Sequence, residues 1–429
     1  MKIVFIGTGY VGLVSGACLA KLKHEVTCVD IDSDRIAKLC RGEDIFYEPG
    51  LSKVVKSAVR AKKLNFTTKL SECLPGAEAV FIAVGTPQDR DGSADLSYVK
   101  SAARNIGRHL KNYVVIVNKS TVPVGTAELV RRTVKRYTRV SFDMASNPEF
   151  LREGNAVDDF LHPDRVVVGI DSQKAERIMR RVYAPLSAEK MFTEIPTAEL
   201  VKYASNSFLA TKLSFINEIA NFSEKVGADI DDVAAGVGLD SRIGPKFLKA
   251  GLGFGGSCFP KDVSALRFMS KSKNFNFRII DTVLKVNARQ KKLFYEKIKK
   301  QFRGKLGGKK IAILGLAFKG NTDDVRESPA LSIVRWLLRD GAEVVAFDPQ
   351  AAEQARAKIS RLVTVKSAAA AIEGSEAVII ATEWEQFKAL PWHKLKTSMK
   401  KPIIIDGRNL LNPVRIRQLG YSYTGIGKP

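Results

Sequence analysis

Apolar runs and a glycine-rich turn alternate over the first 30 residues. The run KIVFIG at 2–7 is followed by TGYVGLVSGACLAKLK and then by a second run, EVTCVDID, at 25–32. Short apolar runs bounded by turn residues are typical of buried strands, and the longer segment between them is typical of a helix. The pattern predicts a strand, a glycine turn, a helix and a second strand, which is a βαβ unit.

Three further runs rich in β-branched residues follow the first unit. They occupy residues 79–84, 114–118 and 165–170, and helix-like segments separate them. Strands that alternate with helices favour a doubly wound parallel sheet. We expect this first domain to end near Pro196.

The middle of the chain has a helical pattern. Residues 197–226 contain neither Pro nor Gly and carry apolar positions at helical spacing, which predicts one long helix between two domains. A second helix is predicted from about Ile280 to Gln301. The glycine and lysine cluster RGKLGGKK at 303–310 is then typical of a linker.

A second α/β unit follows the linker. Its segments are KKIAILGLAFKG at 309–320, a helix at about 329–340, AEVVAFDP at 342–349, and strands at 377–382 and 402–407. Asp348 is placed like Asp30, but the turn lacks the GxGxxG glycines and the P-loop lysine, so we expect the same fold with a different ligand. The predicted fold is therefore α/β, with two doubly wound, Rossmann-like domains joined by a long central helix. The predicted boundaries are 1–196, 197–302 with Cys258 in the helical linker, and 303–429.

Positive charge dominates the composition. Lys and Arg number 69 against 45 Asp and Glu, which gives a formal net charge of +24. Such an excess favours anionic partners without distinguishing nucleic acid, a membrane surface or a phosphorylated small molecule. The densest basic stretch, residues 291–310, contains a single acid, Glu296, and is typical of a solvated helix and linker. No nucleic-acid-binding motif accompanies it, so no specific nucleic-acid binding is expected.

The cysteines and the apolar N-terminus bear on the compartment. The five cysteines form neither an even-numbered framework nor a CxxC pair, which predicts a reduced, cytoplasmic protein without a zinc site or any other metal. Residues 3–20 imitate a secretory signal, but four glycines interrupt the apolar run and cleavage would remove the glycine-rich turn. No other stretch reaches the roughly 18 apolar residues of a spanning helix, so membrane insertion is not expected.

The glycine-rich turn GTGYVG at 7–12 fits a dinucleotide-binding fingerprint. Its glycines would allow a tight turn, close approach of the backbone to a pyrophosphate and close helix packing. Asp30 has the spacing of an acid that binds the ribose hydroxyls, which favours NAD over NADP, although Arg35 nearby could hold a 2′-phosphate. A packing turn without a ligand is the alternative. The predicted cofactor-binding residues of this segment are Gly7, Gly9, Tyr10, Val11, Gly12, Asp30 and Arg35.

Cys258 lies in the turn-rich segment GFGGSCFPKD at 253–262. A buried structural cysteine is the ordinary interpretation. Here the small residues would let a substrate approach the thiol, and Lys261 and Lys202 could stabilise a thiolate. Cys258 is therefore a candidate nucleophile, whereas the other four cysteines lie in apolar or helical contexts and are expected to be inert.

Polar residues elsewhere occupy positions suited to a site. Lys202 and Asn206 are four residues apart and share one face of the long helix, either as a packing pair or as a pair facing a cleft. The segment NPEFLREG at 147–154 follows a predicted strand, at the edge where doubly wound folds bind ligands. Its carboxylates are candidate general bases. KSTVPVGT at 119–126 and GTP at 85–87 likewise close strands with turn residues, as ordinary loops also do.

Together these motifs resemble the UDP-glucose/GDP-mannose dehydrogenase family over nearly the whole chain. The matching segments, in the family's order, are GTGYVGL at 7–13, YEPGL at 47–51, GTP at 85–87, STVPVGT at 120–126, NPEFLREG at 147–154, ELVKYASNSFLA at 199–210, GFGGSCFPKD at 253–262, FKGNTDDVRESPA at 318–330, ATEW at 381–384 and DGRNL at 406–410. The resemblance implies an enzyme that oxidises the C6 alcohol of UDP-glucose twice, reduces two NAD⁺ and releases UDP-glucuronate. Cys258 would capture the aldehyde as a thiohemiacetal, which is then oxidised to a thioester and hydrolysed.

The resemblance also implies roles for the matching residues. Lys202 would stabilise the developing oxyanion, Asp262 and Thr121 would hold a water used in proton transfer, and Glu149 would be the base for thioester hydrolysis. With Asn206 these complete the implied catalytic set. The residues that would join the glycine turn around NAD are Thr86, Thr121, Glu153, Lys261 and Arg326. The substrate-binding residues would be Glu149, Phe150, Leu151, Arg152, Glu153, Lys202, Asn206, Arg242, Phe247, Leu248, Lys249, Ala250, Gly251, Gly255 and Lys319.

The family scheme assigns NAD to the first domain, UDP to the second, and a homodimer core to the long helix and its helical region. Arg242 would then reach a neighbouring subunit's substrate. Phenylalanine after Cys258 favours UDP-glucose, while GDP-mannose or a UDP-N-acetyl amino sugar is the alternative within the family. A hydroxyacid dehydrogenase of the 6-phosphogluconate type, which needs no thiol, is a more distant alternative. A catalytically silent nucleotide or polyanion binder would fit the net charge, but the intact Cys258, Lys202 and Asp262 argue against it.

Overall fold

The computed structural model describes residues 1–428 and divides into two compact units. One comprises Met1–Ser205 with Ser264–Asn274, and the other comprises Asn206–Val263 with the chain from Phe275 onward. Each unit contains one sheet built almost entirely of parallel strands, so the predicted α/β fold with two Rossmann-like domains is confirmed. Within residues 1–428, no helix combines the length and apolar character needed to cross a membrane.

The first unit is built on an eight-stranded sheet. Its strands are β1 (Lys2–Ile6), β2 (Glu25–Val29), β3 (Leu64–Thr67), β4 (Ala79–Ile82), β5 (Val114–Asn118), β6 (Phe142–Ser146), β7 (Arg165–Ile170) and β8 (Glu189–Glu194). They lie in the order β3-β2-β1-β4-β5-β6-β7-β8, so the strand order reverses beside β1, where doubly wound sheets bind their ligands. One pair, β6 with β7, is antiparallel, which departs from the expected parallel arrangement. The link between these two strands is largely irregular and returns the chain from the same edge of the sheet.

Helices cover both faces of this sheet. They are α1 (Tyr10–Lys21), α2 (Ser33–Cys40), α3 (Leu51–Arg60), α4 (Leu70–Cys73), α5 (Ser97–His109), α6 (Thr126–Lys135), α7 (Ala156–Leu161) and α8 (Gln173–Tyr183). Apolar residues of α1, α3 and α8 pack with Phe5 and Phe81, whereas those of α5 and α6 pack with Val80 and Ile82. Because successive strand residues point to opposite faces, burial on both sides explains the continuous apolar runs in the sequence.

The central helix α9 (Ile195–Val226) is 32 residues long and begins slightly earlier than expected. Pro196 lies in its first turn rather than before it, which a helix tolerates because N–H groups there have no partner within the helix. The helices that follow are α10 (Ile230–Gly238), α11 (Phe259–Ser272) and α12 (Arg278–Gln301). Both α9 and α11 continue from one compact unit into the other.

The second unit is built on a six-stranded sheet in which every pair is parallel. Its strands are β9 (Lys310–Leu314), β10 (Glu343–Phe347), β11 (Val363–Thr364), β12 (Ala377–Ile380), β13 (Ile403–Asp406) and β14 (Ser422–Thr424). Its helices are α13 (Pro329–Arg339), α14 (Ala352–Lys358), α15 (Ala368–Ile372), α16 (Glu385–Lys388), α17 (Trp392–Leu395) and α18 (Pro413–Gln418), with a 3₁₀ turn at Lys396–Ser398. The order β11-β10-β9-β12-β13-β14 repeats the strand reversal of the first sheet. Ile216 of α9 and Phe294 of α12 pack into its apolar core.

Candidate functional site

The turn between β1 and α1 has the geometry of a dinucleotide-binding loop. Gly7 has a φ of +102°, and a side chain at Gly12 would overlap the Gly7 carbonyl oxygen. The space around Gly9 is open, so a ligand can reach the backbone directly before α1. Because the first N–H groups of a helix lack partners within the helix, this turn can bind a pyrophosphate.

Asp30 lies directly after β2 and faces the same turn. Its Oδ2 accepts hydrogen bonds from the Thr8 backbone N–H at 2.7 Å and the Thr8 hydroxyl at 2.8 Å. Burial acts to raise the pKa of Asp30, but the Thr8 and Asp32 donors and the Arg35 guanidinium lower it overall. Arg35 Nη1 lies 3.5 Å from this carboxylate. The ionised Asp30 fits a ligand's ribose hydroxyls, and Arg35 is drawn toward Asp30, where the like charge of a 2′-phosphate would be disfavoured.

Glu48 joins the glycine turn to the loop after β6. The Tyr10 hydroxyl donates to Glu48 Oε2, and the N–H groups of Gly154 and Ala156 donate to the same carboxylate at 2.6 and 2.7 Å. Burial, followed by Glu48 itself, raises the pKa of Tyr10, which keeps its hydroxyl a donor. Glu153 directly precedes Gly154, so Glu48 fixes the loop that carries it. The motif YEPGL gave no chemical signal for this function, since its acid binds the protein's own backbone.

The loops after β4 and β5 are also hydrogen-bonded to each other. The Thr86 hydroxyl donates to the Thr121 carbonyl at 3.0 Å, and the Ser120 hydroxyl donates to the Val84 carbonyl at 2.6 Å. Two of the predicted cofactor residues, Thr86 and Thr121, are therefore brought together at the carboxyl edge of the sheet. That edge is where open α/β sheets bind ligands.

A buried ion pair joins α9 to the loop after β6. Lys202 Nζ lies 3.0 Å from Glu149 Oε1, and both side chains are almost fully buried. Glu149 Oε2 accepts the Leu151 N–H at 2.5 Å, and the Phe150 ring centroid lies 5.4 Å from Lys202 Nζ. Arg152 instead pairs with Asp159 at the surface. The structure thus brings together Lys202 and Glu149, which were predicted separately as catalytic residues.

Lys119 is a buried lysine that the sequence interpretation did not select. Its Nζ donates to Asn147 Oδ1 at 2.9 Å, and the Tyr183 hydroxyl donates to the same oxygen. Burial lowers the pKa of Lys119 to about 7; the charge of Lys202 lowers it further and that of Glu149 opposes the shift. The ion pair between Lys202 and Glu149 therefore has a second lysine beside it. Only the position of Lys119, directly after a buried strand, could have indicated it.

In the second unit, Cys258 directly precedes α11. Its carbonyl accepts the Asp262 N–H at 2.8 Å, and the Ser257 hydroxyl oxygen lies 3.4 Å from its Sγ. A thiol at a helix N-terminus is favoured as the thiolate because the helix dipole is positive there. The half-exposed Cys258 is thus suited to nucleophilic attack.

Asp262 is the centre of a buried polar cluster one turn beyond Cys258. Asn206 Nδ2 donates to its Oδ2 and Lys261 Nζ donates to its Oδ1, both at 2.6 Å. The two donors fix the position of this buried carboxylate. Lys261, which we predicted to contact NAD, is here paired with Asp262.

The predicted substrate segment before Cys258 combines buried and exposed residues. Leu248 and Ala250 have buried side chains, so they can offer a ligand only their backbone. Lys249 and Arg242 are exposed, and Arg242 pairs with Asp240. Phe247 has a φ of +65°, which is uncommon for a bulky residue and is concentrated at functional sites.

The segments around 319 and 408 complete the surroundings of this loop. The Gly256 N–H donates to the Arg326 carbonyl at 2.9 Å, and the Phe318 ring, next to Lys319, packs against Gly256. Gly255 is close-packed against the backbone of residue 327. Arg408, which was not among the predicted residues, donates to the Phe318 carbonyl at 2.6 Å. Its motif DGRNL had carried the family resemblance without a residue role.

The remaining cysteines differ in exposure. Cys18, Cys28 and Cys73 are buried, and burial raises their pKa to about 12, 12 and 11. They are therefore poor nucleophiles. Cys40 is exposed at the end of α2. Across residues 1–428, no group of three or more His, Cys, Asp or Glu side chains is arranged to hold a metal ion.

Two Rossmann-type units, one with a complete dinucleotide fingerprint, define a nucleotide-binding α/β protein. Sequence profiles of the UDP-glucose/GDP-mannose dehydrogenase family match its NAD binding domain to residues 1–187, its central domain to 196–289 and its UDP binding domain to 312–413. The chain belongs to the UDP-glucose/GDP-mannose dehydrogenase family, as its motifs had indicated. Its cofactor is NAD, in agreement with the geometry around Asp30.

Individual relatives agree with this assignment over the full chain. UDP-glucose 6-dehydrogenase TuaD of Bacillus subtilis is 48% identical, covering 100% of this chain and 93% of its own length. The structure of a UDP-glucose dehydrogenase from Pyrobaculum islandicum superposes with a TM-score of 0.92 at 40% identity, covering 100% of this chain and 98% of its own. A UDP-D-ManNAc dehydrogenase from Pyrococcus horikoshii has a TM-score of 0.88 at 29% identity, covering 100% and 99%.

Proposed function

We propose that this chain is an NAD-dependent dehydrogenase that oxidises the C6 alcohol of UDP-glucose twice, to UDP-glucuronate. Full-length relatives named UDP-glucose 6-dehydrogenase support the substrate. The observation that carries the chemistry is the half-exposed Cys258 at the start of α11. An alcohol oxidised only once needs no nucleophile, whereas oxidation on to a carboxylate is eased by a covalent thioester.

The residues around the β1–α1 turn fit NAD. The first domain, 1–196, would hold it through the glycine turn, Asp30, Thr86 and Thr121, with Glu153 fixed nearby by Glu48. When bound, NAD⁺ accepts the hydrides removed from C6. The linker 197–302 would carry the nucleophile, and 303–429 would bind UDP. The reducing cytoplasm that the cysteine count predicts would keep the side chain of Cys258 a thiol.

Cys258 would act on the aldehyde formed by the first oxidation. Its thiolate attacks C6, a C–S bond forms, and the carbonyl oxygen becomes an alkoxide or, after protonation, a hydroxyl. Removal of the second hydride converts this thiohemiacetal to a thioester. Water then attacks the thioester, the C–S bond breaks, and the thiolate leaves with the bonding electrons.

The charged residues would stabilise negative charge on the C6 oxygen and transfer protons. The Lys202 ammonium is suited to stabilising negative charge that develops on the C6 oxygen. Its partner Glu149 is suited to taking a proton from the hydrolytic water. Asp262, bonded to Asn206, would hold a water that carries protons away, and the family resemblance gives Thr121 the same function.

The long helix supports a homodimer. Phe208, Phe215 and Phe222 repeat every seven residues on α9 and are 66, 53 and 60% exposed. Residues seven apart lie on one helix face, and this strip of three exposed phenylalanines marks an interaction surface. The occupant we propose is the same strip of a second copy. Arg242, exposed beyond α10, would then serve the neighbour's substrate.

The test measures NADH formed per UDP-glucose consumed by purified protein. We expect a ratio of about two with UDP-glucose, and neither GDP-mannose nor UDP-N-acetylmannosamine should match its rate. Cys258→Ala should lower conversion to the carboxylate by about 10³-fold or more, because it removes the nucleophile. Cys40→Ala is the matched control, since it makes the same change at an exposed thiol outside the site.

Each contrary result has its own meaning. Turnover of only another sugar would overturn the substrate but keep the chemistry. Full turnover by Cys258→Ala would remove the thiol mechanism and favour the hydroxyacid-dehydrogenase type. UDP-sugar binding without NADH from any of the three would support a silent binding protein.

A further inference from the structure

The backbone directly before the Cys258 loop is buried without being part of a helix or strand. Residues 251–256 are all buried and have no regular secondary structure. Buried backbone N–H and C=O groups destabilise a protein unless they have partners. The groups that hydrogen-bond to the backbone of Gly251 and Phe254 therefore determine the position of this segment.

Three side-chain amides supply those partners. The Gly251 N–H donates to Asn217 Oδ1, and the Gly251 carbonyl accepts from Gln290 Nε2, both at 2.8 Å. The Phe254 N–H donates to Asn287 Oδ1 at 2.7 Å, and Asn287 Nδ2 donates to the Phe254 carbonyl at 3.1 Å. We call Asn217, Asn287 and Gln290, together with Asn221, the amide clamp.

The clamp is braced between two helices. Asn221, one turn from Asn217 on α9, donates from Nδ2 to Gln290 Oε1 at 2.8 Å. Asn287 and Gln290 are one turn apart on α12. Because a shift of either helix would break several hydrogen bonds at once, the segment is held from two sides.

Amides are the side chains that this position requires. A carboxylate only accepts and an ammonium only donates, whereas one amide does both without a charge. A charge here would also act on the thiolate of Cys258. Gly253, between the clamped residues, has a φ of +100°, and a Cβ there would come within 2.6 Å of Asn287 Oδ1. A side chain at position 253 would therefore collide with the amide of Asn287.

We propose that Asn287 and Gln290, with Asn217 and Asn221, are positioning residues that hold the Cys258 thiol at the site of attack before substrate arrives. The downstream side of the loop is fixed as well, since the Gly256 N–H bonds the Arg326 carbonyl at 2.9 Å. This inference rests on the proposed nucleophilic function of Cys258. Its consequence is that loosening the clamp impairs capture of the aldehyde more than its formation.

The test is Asn287→Asp in the full-length enzyme, which keeps the acceptor for the Phe254 N–H and replaces the donor by a carboxylate oxygen. We expect conversion to the carboxylate to fall by about 10²-fold, as for a misplacement of about 1 Å. The NADH produced per UDP-glucose should drop from about two toward one, with free aldehyde trapped by hydroxylamine. A merely structural defect would not change this ratio.

Asn409→Asp is the matched control. Asn409 bonds both backbone groups of Ile426 in the same way, at 2.7 and 2.9 Å, so its amide holds a different segment from residues 251–256. It should lose stability similarly yet keep the ratio of about two. If Asn287→Asp does not fold, Gln290→Glu, which loses only the donor to Gly251, should give a smaller fall of the same ratio. An unchanged ratio in the folded variant would overturn the proposal.

A second readout separates this proposal from the proposed function. Alkylation of Cys258 by iodoacetamide, followed by peptide mass spectrometry without substrate, reports the thiol's placement, with exposed Cys40 as internal reference. We expect at least about a 10-fold change in the Cys258 rate in Asn287→Ala, which removes both hydrogen bonds without adding a charge, and none in Asn409→Ala. Parent enzyme without NADH production would refute the proposed function, whereas an unchanged alkylation rate would refute the clamp.

Discussion

Lys119 is a single residue whose charge changes near neutral pH. Burial beside Lys202 lowers its pKa from 10.5 to about 7, with Glu149 opposing the shift. Between these two pH values the unfolded chain binds a proton at this lysine that the folded protein does not. The stability contributed by neutral Lys119 is therefore fully present above about pH 10.5 and is lost as the pH falls from there to about 7.

Lys119→Met should make stability less dependent on pH between about 7 and 10. The slope of the unfolding free energy against pH should fall by up to about 1.4 kcal/mol per pH unit, because the titrating group is gone. Urea denaturation at several pH values measures it. Lys111→Met, at an exposed position before β5, should keep the parent slope. Equal slopes for Lys119→Met and parent would show that Lys119 stays protonated in the folded protein.

The sequence revealed site residues where the chemistry is local. The glycines of 7–12 and the turn around Cys258 were found because consecutive residues determine both the backbone shape and the chemistry. Lys119 was not found, because its partners Asn147, Tyr183 and Lys202 come from separate elements of the first unit. No spacing rule joins residues that meet only after the sheet has formed.

At the level of elements, Glu199 fastens helix α9 to the start of α6. Its two carboxylate oxygens accept the Gly125 N–H at 2.7 Å and the Ala127 N–H at 3.0 Å. These are N–H groups at the start of a helix, which lack partners within the helix. Burial raises the pKa of Glu199 from 4.5 to about 7, although both hydrogen bonds act to lower it. Between about pH 4.5 and pH 7, the folded protein therefore holds a proton on Glu199 that the unfolded chain has lost.

Glu199→Gln should gain stability relative to the parent as the pH rises from about 5 to 8. For the parent, the contribution of protonated Glu199 is present below about 4.5 and lost as the pH rises through about 7. The relative gain should approach about 1.4 kcal/mol per pH unit within this window. Thermal unfolding at pH 5, 6, 7 and 8 measures it. Glu128→Gln, an exposed acid of α6, serves as the control, and the prediction fails if the two variants respond alike.

Helices and strands were predictable where the spacing of their apolar residues was regular. The long helix and the strands at 114–118 and 165–170 were found because buried apolar spacing marks them. Strand direction was not, since β7 runs antiparallel to β6 although its apolar pattern is that of a parallel strand. Likewise Asp348 resembles Asp30 in sequence position, but its carboxylate accepts the backbone N–H of Leu316 and the Trp384 indole. Asp30 likewise accepts the Thr8 backbone N–H, so the sequence pattern does not tell an acid that binds a ligand from one that binds only its own fold.

For the whole molecule, the exposed phenylalanines of α9 make the state of assembly testable. Three large apolar side chains on one face would be left in water in a monomer, and burying each contributes roughly 1.5–3 kcal/mol. Phe215, the middle residue, should therefore be the most sensitive position, because its neighbours flank it on both sides. A glutamate there would place two like charges across a two-fold symmetric contact.

Phe215→Glu should convert a dimer into a monomer. Light scattering after size exclusion should give about twice 47.2 kDa for the parent and 47.2 kDa for the variant. Val414→Glu, an equally exposed apolar residue on α18, should keep the parent mass because it lies outside the strip. A parent that is monomeric at micromolar concentration, or a Phe215→Glu variant that keeps the doubled mass, would exclude this strip as the dimer contact.

If Arg242 serves the neighbour's substrate, the monomeric variant should also have a higher KM for UDP-glucose, and adding Arg242→Ala to it should raise KM no further.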